Sequence, residues 1–257
     1  RGTIESNVRC GSCATSSSKI DPIEDIGLEV MHNTVNGSFT LSDVSSSLDR
    51  FTGAEPLDSG YKCDKCGHMG KATKQSRLAS IPPILTLHLK RFRYGSDGKP
   101  IPPPISSRRG SREVSQLLSS NGGCGVVGAG ASGSAKIEGH IQFLEIFDLK
   151  PFMTTQLAAK HKHMYCRLFS VIVHAGKNSH SGHYIAYVRN VGKNEWWKMD
   201  DARVTRVASQ EVLNAEAYML FYRVMEHPVA QQLRAKAAEL SSQTSATTTT
   251  TTTTTTT

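Results

Sequence analysis

The chain has 257 residues, 38% of them hydrophobic, and a formal net charge of +8; that length suffices for one large domain or two small ones with a buried core. No apolar run approaches the ~20 residues needed to cross a bilayer, so no membrane partner is expected; the sequence starts at Arg1 with no initiator Met and no signal-peptide apolar stretch, which is the start expected of a fragment beginning inside a domain. The basic residues are scattered, as in Lys71, Lys74 and Arg77 or Arg108, Arg109 and Arg112, without interleaved aromatics, so they read as solvated surface and nucleic acid is not an expected partner.

Two pairs, Cys10-x-x-Cys13 and Cys63-x-x-Cys66, bracket the first segment, residues 1–70. Between them, 22–30 alternates as one short strand. Leu41, Val44, Leu48 and Phe51, three and four apart with Gly53 beyond, predict a helix. Residues 55–58 read as a loop returning to the second pair. Residues 71–93 hold two strand-like runs broken by Pro82-Pro83, of which 84–92 alternates best. From 95 to 135 the chain is rich in Gly, Ser, Pro and Arg without apolar periodicity, which predicts a disordered insertion.

Order is expected to return over 136–149. Four strands are predicted at 165–174, 183–190, 195–199 and 217–224, with a short helix over 209–214. Residues 228–241 favour a helix, and the poly-Thr run 247–257 has no means of forming a core and is predicted to be a disordered tail.

Six cysteines are present, four of them in the two pairs and the others at Cys124 and Cys166. This uneven distribution suits a reducing, intracellular setting better than a secreted disulfide scaffold. Two Cys-x-x-Cys knuckles can complete a tetrahedral thiolate site for a structural Zn²⁺, closed to water. Two unrelated redox pairs are the competing reading, but the thioredoxin-like arrangement needs a βαβ unit that is missing here. His68 is a spare ligand candidate, expected as a solvent-facing neighbour.

His183 heads an alternating strand, and Asp200-Asp201 closes the next. A hairpin would let Asp200 orient the imidazole and leave the other ring nitrogen to take a proton from a thiol. A lone histidine at a strand start is ordinarily structural; the acidic pair downstream alters that balance. Gly182, having no side chain, is expected to let a substrate backbone approach.

The two cysteine pairs, Leu85-Thr-Leu-His-Leu-Lys-Arg-Phe92, the histidine strand, the Trp196-x-x-x-Asp200-Asp201 strand and Ala217-Tyr-Met-Leu-Phe-Tyr222 occur in one order that resembles the ubiquitin-specific protease catalytic domain, over residues 2–224 apart from the 95–135 insertion. The resemblance implies an α+β fold: a papain-like cysteine peptidase palm with an antiparallel sheet plus a zinc-ribbon fingers subdomain. Residues 1–226 would be part of that domain, with fingers in 1–70, the palm with its His and Asp in 136–226, and the N-terminal thumb portion missing. It further implies His183 as general base, Asp200 as its orienting residue and Asp201 as an assisting carboxylate. Cys10, Cys13, Cys63 and Cys66 would ligate Zn²⁺. The partners would be ubiquitin and ubiquitinated proteins, in cytoplasm or nucleus.

One departure is sharp. The family's nucleophilic Cys lies in a Gly-Asn-Thr-Cys-type segment ahead of the zinc region, and nothing like it precedes Cys10. Cys124 falls in the insertion, and Cys166 reads as a small core residue. The expected activity is thiol-dependent hydrolysis of the bond between ubiquitin's C-terminal glycine and a substrate lysine, with the nucleophile on a segment upstream of Arg1 and this chain alone inactive. The alternative is a non-catalytic ubiquitin-binding scaffold that has lost its nucleophile; such a module need not keep His183 and Asp200, and their presence favours the enzyme.

Overall fold

The computed structural model describes residues 1–35, 38–92, 136–176 and 181–225. The expectations for the 95–135 insertion and for 228–257 fall outside the described residues. In chain order, β1 (Gly2–Cys10) and β2 (Ser16–Ile23) form a hairpin, β3 (Ile26–Glu29) leaves it, and β4 (His32–Val35) pairs with β5 (Ser38–Leu41). The helix α1 (Val44–Thr52) is followed by β6 (Ala54–Lys62), β7 (Met69–Ser80) and β8 (Ile84–Lys90). Past residues 93–135 come β9 (Ile146–Asp148), a single 3₁₀ turn and α2 (Thr155–Lys160). The remainder is β10 (Tyr165–Ala175), β11 (His183–Asn190), β12 (Glu195–Asp200), β13 (Arg203–Val207), α3 (Ser209–Leu213) and β14 (Ala217–Met225).

Two sheets carry most of these residues. The smaller has the order β2-β1-β7-β6 and is antiparallel throughout. The larger runs β13-β12-β11-β10-β14-β8-β3, with β9 added against β10. It is antiparallel except at its edge, where β3 lies parallel to β8. The sheet is therefore mixed, not purely antiparallel. Pro82-Pro83 marks the passage from one sheet to the other: neither proline can donate to a ladder, so β7 ends at Ser80 and β8 starts afresh at Ile84.

Three expectations change. Residues 22–30 form two strands, not one, because the chain bends after Ile23 and β3 crosses into the large sheet. The segment between the cysteine pairs accordingly divides, with β3 and α1 packing on the large sheet's core. Residues 55–58 belong to β6 and do not form a loop. Pro56 is tolerated there because β6 is an edge strand, as is β2 with its Pro22. The strands β1, β4, β5 and β13 and the helix α2 have no counterpart in the sequence reading; in β13, Val204 and Arg206 alternate weakly and are exposed.

The helix α1 starts later than its apolar spacing suggests. Asp43 caps it, Oδ1 accepting from Ser46 N at 2.8 Å and Oδ2 from the Ser46 hydroxyl at 2.7 Å. Its Val44 and Leu48 reach a continuous core with Ile26, Leu28, Leu85, Leu87, Leu89, Val171, Leu220 and Tyr222. Leu85, Leu87 and Leu89 are at most 1% exposed while Ile84 on the opposite face is 48% exposed, the period-2 pattern of a strand with one buried face. Burial of each such leucine contributes about 1.5–3 kcal/mol.

Candidate functional site

The antiparallel pairing of β11 with β12, in which Ala186 faces Met199, carries His183 at the start of one strand to Asp200 at the end of the other. His183 Nε2 and Asp200 Oδ1 are 2.5 Å apart. A two-residue turn then leads into β13, where Arg203 pairs with Asp200. Asp201 in that turn has φ 51°, a left-handed conformation that aspartate adopts more readily than most residues. The turn brings Asp201 Oδ2 to 3.9 Å from His183 Nδ1. The three residues predicted as a group are thus brought together.

Both carboxylates act on the imidazole in one direction. The hydrogen bond to Asp200 raises the His183 pKa above its ordinary value, against some loss of solvation, and the negative charges of Asp201 and Asp200 add to it. The same hydrogen bond holds Asp200 below the usual carboxylate range, helped by charge from His183, Lys198 and Arg203. With Nε2 engaged by Asp200, Nδ1 is the nitrogen left for proton transfer. The His183 and Asp200 side chains are 43% and 35% exposed, so the pair sits at the surface, within reach of a second group.

The face alternation along β11 is as read from sequence: Tyr187 is buried and Tyr184 is 55% exposed. A Cβ on Gly182 would overlap the imidazole Nε2 of His174, so the space on that side of the glycine is filled by a histidine on β10.

At the other end of the small sheet, the tip of the β1–β2 hairpin and the tip of the β6–β7 hairpin bring four thiols together. Their Sγ atoms all lie within 4.8 Å of one another, with Cys13–Cys63 at 3.7 Å and Cys10–Cys66 at 4.0 Å. These are too long for a disulfide. They match the ~3.8 Å edge of a tetrahedron whose metal–sulfur bonds are ~2.3 Å, so the donor set fits Zn²⁺. His68 is not part of the cluster; its carbonyl accepts from Cys63 N at 3.0 Å, closing the second knuckle.

Backbone N–H groups of the first knuckle, at Cys13 and Ser12, draw the Cys10 pKa down. The Thr15 hydroxyl and backbone lower Cys13 to about 6. At Cys66 a bond from the His68 backbone works the same way, but burial and the neighbouring thiols drive it up to about 11. Four crowded thiols cannot all ionise without a cation between them, which is the condition a bound Zn²⁺ would meet. The strand β1 runs 9 residues from the inter-sheet junction at Gly2 to Cys10, which puts the cluster roughly 25–30 Å from that junction.

Residues 1–222 match the family described as "Ubiquitin carboxyl-terminal hydrolase". The chain belongs to this family. It is 32% identical over 224 residues to ubiquitin carboxyl-terminal hydrolase 23 of Arabidopsis thaliana, covering 86% of this chain and 20% of the relative. It is also 32% identical to ubiquitin carboxyl-terminal hydrolase nonstop of Drosophila melanogaster, covering 86% and 37%. The chain therefore spans well under half the length of these relatives. Among solved structures, the SAGA DUB module of Ubp8, Sgf11, Sus1 and Sgf73 bound to monoubiquitin matches with TM-score 0.64 and 26% identity, over 88% of this chain and 40% of that one. The same module bound to ubiquitin aldehyde matches with TM-score 0.61. The mixed, sheet-rich architecture is that of these hydrolase structures.

Cys166, the remaining cysteine among the described residues, is a core residue. It is fully buried, its thiol points to the Phe147 carbonyl at 3.6 Å, and burial raises its pKa well above the ordinary value. Cys124 lies outside the described residues. The sequence reading missed His174 and Lys136. His174 falls where the pattern shows only a strand end, and a single sequence carries no signal that its ring turns inward beneath Gly182.

Proposed function

We propose that this chain supplies the base-bearing and zinc-bearing parts of a thiol-dependent deubiquitinase in which the large sheet is the palm and the small sheet the fingers. The observation that carries this reading is the 2.5 Å contact of His183 Nε2 with Asp200 Oδ1, in a chain of the ubiquitin carboxyl-terminal hydrolase family. His183 is the general base, Asp200 orients it and Asp201 assists. The nucleophilic thiol comes from polypeptide other than the described residues, in a thumb portion that completes the cleft.

In this reading His183 Nδ1 takes the proton of the thiol, and the thiolate attacks the carbonyl carbon of ubiquitin's C-terminal glycine. As the carbon–nitrogen bond breaks, the imidazolium returns the proton to the leaving lysine amine. The thioester is then hydrolysed by water deprotonated at the same nitrogen. Asp200, by raising the His183 pKa, favours the thiolate–imidazolium pair. Cys10, Cys13, Cys63 and Cys66 hold a structural Zn²⁺ that fixes the two hairpin tips. Ubiquitin and ubiquitinated proteins are the partners, and a reducing compartment such as cytoplasm or nucleus keeps the thiols available.

The test is hydrolysis of a fluorogenic ubiquitin C-terminal amide. This chain alone is expected to show no turnover, and addition of the thiol-bearing segment in trans or by fusion is expected to restore it. Robust turnover by this chain alone would refute the placement of the nucleophile outside it.

A further inference from the structure

One buried side chain has no part in the site as described, yet it lies beneath it. His174 on β10 is 2% exposed, and its Nδ1 finds no hydrogen-bond partner among the described residues. Buried polar atoms are nearly always satisfied, so such an exception calls for a reason. The ring is walled in by aromatic neighbours: Tyr184 at 4.8 Å, Phe92 at 5.5 Å and Tyr218 at 6.0 Å between centroids.

Glycine backbone closes its remaining edge. A Cβ on Gly182 would overlap Nε2, and one on Gly176 would lie 2.9 Å from Cε1. The imidazole therefore fills the space under both ends of the connection from β10 to β11. In the ladder, His174 stands opposite Tyr184 and Ala175 opposite His183. A single peptide separates the glycine that the ring supports from the residue that meets Asp200.

The support is itself held. Lys136, also buried, donates its Nζ to the His174 carbonyl at 2.5 Å, and Lys136 is bridged through its backbone to Phe92. Burial first, and the Lys136 charge second, push the His174 pKa below its ordinary value. Both effects favour the uncharged ring, the form that adds no like charge beside His183.

We propose that His174 is a positioning residue for this site: its walled-in ring props Gly182 and thereby seats His183 on Asp200. The consequence for catalysis rests on His183 being the general base; the geometric part concerns only the His183–Asp200 contact. An imidazole serving merely as core filler would contribute to stability and leave the behaviour of His183 unchanged.

Imidazole-resolved NMR titration of the ¹⁵N-labelled chain separates these. The charged groups acting on His183 are Asp200 and Asp201, with Lys198 and Arg203 acting on Asp200; none is altered in the His174 and Gly182 variants, and Asp200→Asn serves as the reference for a lost contact. The wild-type His183 midpoint is expected above the ordinary value of about 6.5. In His174→Ala, and in Gly182→Ala, which drives a methyl into the ring, it is expected to fall back toward the midpoint of Asp200→Asn. His174→Asn shortens the edge that meets Gly182 and serves if the alanine variant fails to fold. In the unsubstituted protein, an NOE from His174 Hε1 to Gly182 Hα is expected.

A His183 midpoint that stays raised in folded His174 variants, with only the melting temperature reduced, overturns the proposal. So does absence of the NOE. A wild-type midpoint that is not raised at all would instead remove the His183–Asp200 pair on which the functional reading stands, and this proposal with it.

Discussion

His183 lies between two carboxylates at unequal distances, Asp200 at 2.5 Å on one ring nitrogen and Asp201 at 3.9 Å on the other. The raised His183 pKa means that its share of stability is fully present below the unfolded value of about 6.5 and is lost as pH rises through the folded value. The lowered Asp200 pKa means that its share is present above about 3.9 and is lost as pH falls through the folded value. The contact is therefore strongest between roughly pH 4 and 6.5. Asp200→Asn is expected to lower the His183 midpoint, read by NMR, and to lower kcat of the thiol-completed enzyme by about 10²-fold or more while KM for the ubiquitin amide changes little. Asp201→Asn is expected to act in the same direction and less strongly, because that carboxylate is beyond hydrogen-bond distance and 85% exposed. A larger effect from Asp201 than from Asp200 would reverse the roles assigned to them.

At the scale of elements, hairpin tips and strand ends carry the candidate sites. The β1–β2 and β6–β7 hairpins contribute two thiols each, and the paired strands between them keep the tips in register. Elemental analysis is expected to find a single Zn²⁺ per chain, lost in Cys63→Ser. Stripping it with a strong chelator is expected to lower the melting temperature and shift amide signals at both tips, since a structural site contributes on the order of 10 kcal/mol of binding energy. The His183 titration is expected to be unmoved, since His183 lies on the other sheet and the thiols stand roughly 25–30 Å beyond the junction of the two sheets. A second element-level prediction concerns the ends of the insertion. Phe92 and Lys136 are bridge partners, Ile137 N donates to the Arg91 carbonyl at 2.7 Å, and the buried Arg91 guanidinium donates to the carbonyls of Ile137 and Gly139 at 2.8 and 2.9 Å. With its ends pinned in this way, replacing 93–135 by a four-residue turn is expected to leave the fold intact and to raise stability by about 1–2 kcal/mol through the shorter loop closure. Denaturant unfolding measures this, and a marked loss of stability would show that the insertion contributes packing of its own.

Taken as a whole, the molecule has a core on one face of the large sheet, a second sheet extending from it past Pro82-Pro83, and its candidate site where β10, β11, β12 and β14 begin or end together. Much of this was legible in order along the chain. Alternation marked β8, β10, β11, β12 and β14, the Asp43–Gly53 interval contained α1, and the Cys-x-x-Cys spacing singled out four thiols, because pleat, helix pitch and knuckle geometry are local and leave a periodic trace. Other strands left none, β6 and β13 among them: the first is an edge strand with a proline, the second is short and largely solvent-facing, and both exist because a neighbour offers a ladder. The departure of β3 into the other sheet, and its parallel pairing with β8, likewise depend on contacts across long intervals of sequence. Residue types and their chain order were enough to nominate His183, Asp200, Asp201 and the four cysteines. Only the folded chain could decide which nitrogen of His183 meets Asp200, what stands behind Gly182, and that His174 stands there, because these are matters of side-chain direction and packing between strands, which no local spacing encodes.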